Sequence, residues 1–137
     1  FAEQYEVDYL LGRCLANRAE FDQAREAYRR VIRSQGGAKT LAAANAQLLT
    51  AETYYHQKNY QSALREYLKV ELLYAFPAVQ AAALVQAGKC YELLHEWKQA
   101  AEVYQRVTKN YKDTAFATEA ATLLQSARQR AEKEDRR

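Results

Sequence analysis

Gly88-Lys89-Cys90-Tyr91-Glu92-Leu93-Leu94-His95-Glu96-Trp97-Lys98-Gln99-Ala100-Ala101-Glu102-Val103-Tyr104-Gln105-Arg106-Val107 is the stretch that decides how this chain folds. Ala100, Tyr104 and Val107 stand at i, i+4 and i+7, which places them on one face of a helix. Gly88 and Tyr91 share a face of an earlier helix, and the short segment before Trp97 turns one helix into the other. The same six positions occur twice more upstream. They read Gly12, Leu15, Phe21, Ala24, Tyr28, Val31, and then Ala51, Tyr54, Tyr60, Ala63, Tyr67, Val70. The leading small residues lie 39 and then 37 residues apart. Three copies agreeing at six positions are internal repeats of a helix pair. Small residues in both helices of a pair let their backbones approach closely, where a larger side chain would wedge them apart.

Working outward, the periodicity predicts helices at about 2–18, 21–34, 40–57, 60–75, 77–95, 97–110 and 115–132. Pro77 sits at the first turn of its helix, where a missing N–H costs nothing. Ser34-Gln35-Gly36-Gly37 is the clearest loop. In the last helix Phe116, Ala120, Leu123, Leu124, Ala127 and Ala131 form one apolar stripe. Thr118, Glu119, Thr122, Gln125 and Gln129 make its other face polar, so it reads as a cap that ends the array. The expected architecture is a single all-α domain, an α-α superhelix of three helix pairs. Its repeats span about 5–38, 44–76 and 81–114, followed by a capping helix over 115–131 and a solvated tail over 132–137. The first helix, with Phe1, Tyr5, Val7, Tyr9, Leu10, Leu11, Cys14 and Leu15, is apolar almost all round. Further repeats upstream, or self-association through this helix, are therefore expected. The chain opens on Phe1 and has no Met, so it reads as a segment of a longer protein.

Composition narrows the function. Hydrophobic residues make up 49% and charged residues 27% of the 137, which fits a globular domain with a real core. The longest uncharged stretch, Leu72 to Gly88, is too short and too broken by Pro77 to insert into a membrane. The net charge of +3 is spread evenly along the chain, whereas a nucleic-acid binder concentrates its cations in a stripe. No nucleophile–base–acid set, phosphate-cradling glycine loop or paired catalytic carboxylates can be pointed to. His56 and His95 lack companions at ligand spacing. The expectation is of no enzyme, no cofactor, no metal and no nucleic-acid partner.

The repeated pattern, small-x2-aromatic and then Ala-x3-aromatic, resembles the tetratricopeptide repeat over about residues 5–114. Asp8, Gln47 and Leu84 stand where that repeat often has Trp, and the period exceeds its usual length of about 34 residues. Asn110 to Ala120 is similar to the inter-repeat linker of bacterial cell-envelope proteins of the TolA-binding and outer-membrane assembly lipoprotein type, with Lys112 in place of the usual Pro. The resemblance implies a scaffold that holds a protein or peptide in a concave groove, and slightly favours the periplasm or cell envelope. Structural self-assembly is the alternative. Cys14 and Cys90, two residues after the small Gly in repeats one and three, would be buried and would pack like a slightly larger Ala.

In such arrays the first helix of each pair lines the concave surface. The alignment then names Tyr9, Arg13, Leu48, Glu52, Tyr55, Val85 and Lys89 as the partner-binding residues. Tyr9, Leu48, Tyr55 and Val85 would be apolar anchors. Arg13, Glu52 and Lys89 would form a row of alternating sign, unless they pair with neighbouring helices. Of the positions that one member class uses to grip a C-terminal carboxylate, here Tyr9, Arg13, Leu49, Ala82 and Gln86, only Arg13 is cationic. That clamp is not expected.

Overall fold

The computed structural model describes residues 4–137. Phe1 and the expected helix start at residue 2 lie outside them. Seven helices account for the described residues: α1 (Gln4–Asn17), α2 (Phe21–Arg33), α3 (Leu41–His56), α4 (Tyr60–Leu73), α5 (Pro77–Leu93), α6 (Trp97–Asn110) and α7 (Ala117–Asp135). Six fall within two residues of their expected bounds where those can be compared. The last runs three residues past the expected 132, and Asp135 pairs with Lys98 at 3.0 Å. The tail is therefore part helix.

Each helix packs on the next in sequence. In addition α1 touches α3, α3 touches α5, and α5 touches α7, whereas α2, α4 and α6 do not touch one another. Odd helices that meet and even helices that do not can only be stacked on a curve, with the odd set inside. This all-α superhelix gives the odd helices the concave face.

The turn inside each pair is the same three times over. Ala19, Lys58 and His95 all have φ near +60°. The next residue's N–H, from Glu20, Asn59 and Glu96, reaches back to the carbonyl oxygens of Leu15, Tyr54 and Tyr91 at 2.8–2.9 Å. This left-handed helix end satisfies carbonyls that would otherwise be orphaned. Phe21, Tyr60 and Trp97 then open the following helices. At the seams between pairs, Thr40 caps α3 by accepting from the N–H of Ala43, and Pro77 opens α5.

Inside each pair the closest approach is more specific than a meeting of small residues. Tyr28, Tyr67 and Tyr104 are buried; the rings of Tyr28 and Tyr104 reach from the even helix across to Gly12 and Gly88 of the odd one, and Tyr67 lies in one cluster with Ala51. A methyl group at Gly12 would stand 2.6 Å from Cδ1 of Tyr28, and at Gly88 2.5 Å from Cζ of Tyr104. Neither glycine has a positive φ, so the ring, not the backbone conformation, requires them. Asp8, Gln47 and Leu84 are also buried and mark a second point of contact between paired helices. Asp8 holds Arg30 at 3.1 Å, Gln47 donates to Glu66, and Leu84 packs with Val103 and Val107.

One cysteine departs from expectation. Cys90 is buried under α4, but Cys14 is exposed. The covering helix that precedes α3 and α5 has no counterpart against α1 among the described residues. Val7, Leu10 and Leu11 are bare on the same helix, at 56%, 57% and 42% exposure. At the other end α7 buries Ala120, Leu124, Ala127 and Ala131, and Thr118, Glu119, Thr122, Gln125 and Gln129 face outward. No described helix is long and apolar enough to cross a membrane.

Candidate partner-binding groove

The concave face is built from one side of α1, α3 and α5, and the repeat geometry decides what each position does. Four residues after the leading small residue stand Ala16, Tyr55 and Glu92. In the third pair the Tyr104 hydroxyl, emerging beside Gly88, donates to the Glu92 carboxylate. In the first pair the equivalent position is Ala16, too short to reach the Tyr28 hydroxyl. A cavity of about 210 Å³ opens there, lined by Arg13, Asn17, Tyr28, Glu52 and His56 together with Ala16.

Glu52 is the unusual group in this cavity. It is half-buried and makes no ion pair or hydrogen bond among the described residues. Burial pushes its carboxyl above the ordinary carboxylate range, and His56 pulls it part of the way back. Burial also pushes the Tyr28 hydroxyl up to about 12, with the neighbouring Tyr9 adding to the effect and Arg13 opposing it. A desolvated carboxylate beside a neutral hydroxyl and a cation can receive a hydrogen-bond donor and orient it.

The seven residues named from sequence divide into four groups. Arg13 is exposed over the Tyr9 ring at 5.9 Å, and with Glu52 it lines the cavity. Tyr9, Leu48 and Tyr55 are half-buried. Tyr9 packs near Tyr28, Leu48 joins the cluster around Ala51 and Tyr67, and Tyr55 sits edge-on to Tyr60 at 5.4 Å. These three are at once groove surface and core. Lys89 is bound across the groove to Glu119 of α7 at 3.0 Å, so its charge is already paired with a neighbouring helix.

Val85 requires correction. It is 2% exposed and lies in the cluster with Ala81, Leu84, Val103, Val107 and Ala120. Docking of α7 against α5 covers the position that stays open in the earlier repeats, so Val85 is core and not an anchor. Sequence reasoning missed Tyr28 and Ala16, one taken as core and one passed over. The signal was the series Ala16, Tyr55, Glu92, in which one repeat lacks a side chain where the others have a large or polar one. No cluster of three or more His, Cys, Asp or Glu side chains gathers to hold a metal among the described residues.

Residues 6–35 and 82–114 match the family model described as tetratricopeptide repeat, which takes in the first and third helix pairs. No curated protein matches the chain. Repeats of this kind generally mediate protein–protein interaction or scaffolding. Three helix pairs of one build, two of them matched by the repeat's own model, are consistent with an all-α tetratricopeptide-type superhelix and support a tetratricopeptide repeat protein.

Proposed function

We propose that this protein is an interaction scaffold whose concave groove holds a partner protein or peptide, with the cavity beside Glu52 receiving a hydrogen-bond donor from that partner. The observation that carries the reading is Glu52 itself, a half-buried carboxylate with no protein partner among the described residues. Desolvating a charge without compensation is costly in a structural site, and an outside donor supplies the compensation. Arg13 lines the cavity, and Tyr9 beside Tyr28 and Tyr55 beside His56 add apolar surface next to it, suited to an extended or helical segment. Val85 and Lys89, buried and paired respectively, add shape and not affinity. The test is affinity capture from the native cell extract with the wild-type chain and with Glu52→Arg. A partner retained by the wild type and by the convex-face control Lys109→Glu, but lost with Glu52→Arg, supports the groove. Equal retention by all three sinks it.

Self-assembly is a second reading, favoured by the bare Val7, Leu10 and Leu11 of α1. Apolar patches of this kind commonly mark interfaces. Sedimentation over a concentration series separates the two readings, because self-assembly requires a dimer in the absence of any ligand. A cell-envelope setting is supported only by the resemblance of the Asn110–Ala120 linker.

A further inference from the structure

We propose that the cleft between α2 and α4, on the convex face away from the groove, is a second binding site and that it takes an acidic peptide segment. Arg25, Arg29 and Arg33 are spaced four apart and form one stripe of α2. Like charges at this spacing repel one another. The repeat alignment shows how unusual the stripe is. The equivalent residues are Leu64, Leu68 and Leu72 in α4, and Ala101, Gln105 and Lys109 in α6. Leu64 and Leu68 pack into the seam between the second and third pairs. Between the first and second pairs arginines replace them and the seam stays open. It forms a cavity of about 340 Å³ with the arginines on one wall, Lys69 and Glu66 on the other, and Gln47, Thr50 and Tyr54 in the floor.

The cations of this cleft are unequally occupied. Arg25 is fully engaged: it bonds Thr53 Oγ1 at 2.9 Å and Gln57 Oε1 at 2.8 Å, pairs with Asp22, and lies over the Tyr54 ring at 4.1 Å. Lys69 is paired with Glu66 at 3.2 Å. Arg29 and Arg33 are exposed and have no carboxylate partner among the described residues. The negative end of α2 accounts for a cation at Arg33, in its last turn, but not for Arg29, a turn earlier. Two guanidinium forks one turn apart present paired donors in the geometry that carboxylates accept. A nucleic acid would need the cations to continue along the convex face, and the leucines of α4 interrupt them. An acidic peptide needs only the cleft.

The test is a titration of the ¹⁵N-labelled chain with a blocked Glu/Asp hexapeptide, followed by amide and arginine Nε resonances. Saturable shifts are expected at Arg29, Arg33, Thr50 and Tyr54, weakening as salt is raised. Arg29→Leu/Arg33→Leu, which borrows the residues of the second repeat, should lower affinity at least tenfold with helicity unchanged. Arg29→Gln/Arg33→Gln serves if that variant does not fold. Glu52→Gln should leave the titration as it is, and a loss there would move the site to the groove and overturn the proposal. So would the absence of saturation up to about 10 mM peptide, an affinity too weak to matter, or affinity unchanged by the double variant. Inorganic phosphate binding as tightly as the peptide would reduce the cleft to a simple anion site. A single-stranded oligonucleotide binding more tightly than the peptide through the same arginines would reassign it to nucleic acid. Either result overturns the peptide reading.

Discussion

The ring of Tyr104 packs against the helix backbone at Gly88, so near that a methyl group on Gly88 would stand 2.5 Å from Cζ. Helix propensity alone would make Gly88→Ala stabilising by about 1 kcal/mol. Here the ring is fully buried and bonded to Glu92, so it cannot move aside without breaking its surroundings. Gly88→Ala should therefore destabilise by about 1–3 kcal/mol through overpacking. Ala63→Leu and Ala100→Leu should cost at least as much, whereas exposed Lys58→Ala stays within about 0.5 kcal/mol. Denaturant midpoints check the series, and a Gly88→Ala protein more stable than wild type would contradict the packing argument.

The left-handed turns make the opposite kind of prediction. Lys58 and His95 are exposed and hold φ near +60°, a conformation that costs a residue with a Cβ about 1 kcal/mol or more. Lys58→Gly removes that cost, and part of the gain is returned by the greater freedom of glycine in the unfolded chain. A net stabilisation of about 0.5–1 kcal/mol is expected by thermal melting. A lower melting temperature would mean that Lys58 contributes something beyond its backbone.

Alkaline pH tests the buried tyrosines. Burial pushes Tyr28 from 10.0 to about 12 and holds the Tyr67 and Tyr104 hydroxyls higher still, with the bond to Glu92 adding to the last. Above about pH 10 the unfolded chain loses these protons while the folded one keeps them, so stability is complete below that pH and falls as pH rises further. Tyrosinate absorbance should show these rings withheld until the helices melt together. In the same vein, burial raises the Cys90 thiol to about 12, so a thiol reagent at pH 8 should label Cys14 at once and Cys90 only on unfolding.

The fold was legible because the repeat wrote it three times. Gly12, Ala51 and Gly88 share one register with their tyrosines, and random coincidence cannot reproduce six positions in three copies. The capping helix could also be read, from the contrast between Leu124 and Gln125. The groove was legible only in outline, because its properties arise where the repeats differ. Val85 looks like Leu48 in the alignment, but Val85 is closed over in a cluster that includes Ala120 of α7, while Leu48 stays half-exposed. Cys14 matches Cys90, but among the described residues only the latter has a preceding helix over it. A position in a repeat is fixed by its own helix pair, and its exposure is fixed by the neighbours.

Removing the cap tests the array as a unit. Ala120, Leu124 and Ala127 cover the Val103, Tyr104 and Val107 side of α6. A chain ending at Thr114 should aggregate or melt early, because that surface has nothing else to bury it. Deletion of 132–137 removes no buried residue and only the exposed Lys98–Asp135 pair, so it should cost less than about 1 kcal/mol. A monomeric, equally stable 1–114 fragment would show that α7 is not a cap.

The last prediction separates function from stability at a single residue. Tyr55→Ala disturbs both, because that ring also supports Tyr60. Glu52→Gln is cleaner: it keeps the shape of the side chain and removes a charge that burial disfavours and no group among the described residues bonds. For a group whose carboxyl is raised in the fold, the protonated form is the better folded one, so stability improves as pH falls through its range. The neutral amide mimics that form at every pH. Glu52→Gln should therefore raise the melting temperature at pH 7 and flatten its dependence on pH in the weakly acidic range. If the carboxylate is kept for a partner, the same substitution should weaken partner binding by about tenfold or more, the scale of one charge-assisted hydrogen bond. A protein stabilised in isolation and weakened in binding has a groove residue selected against its own stability. Glu52→Gln that lowers the melting temperature, or leaves the affinity of an identified partner intact, would show instead that the carboxylate serves the fold.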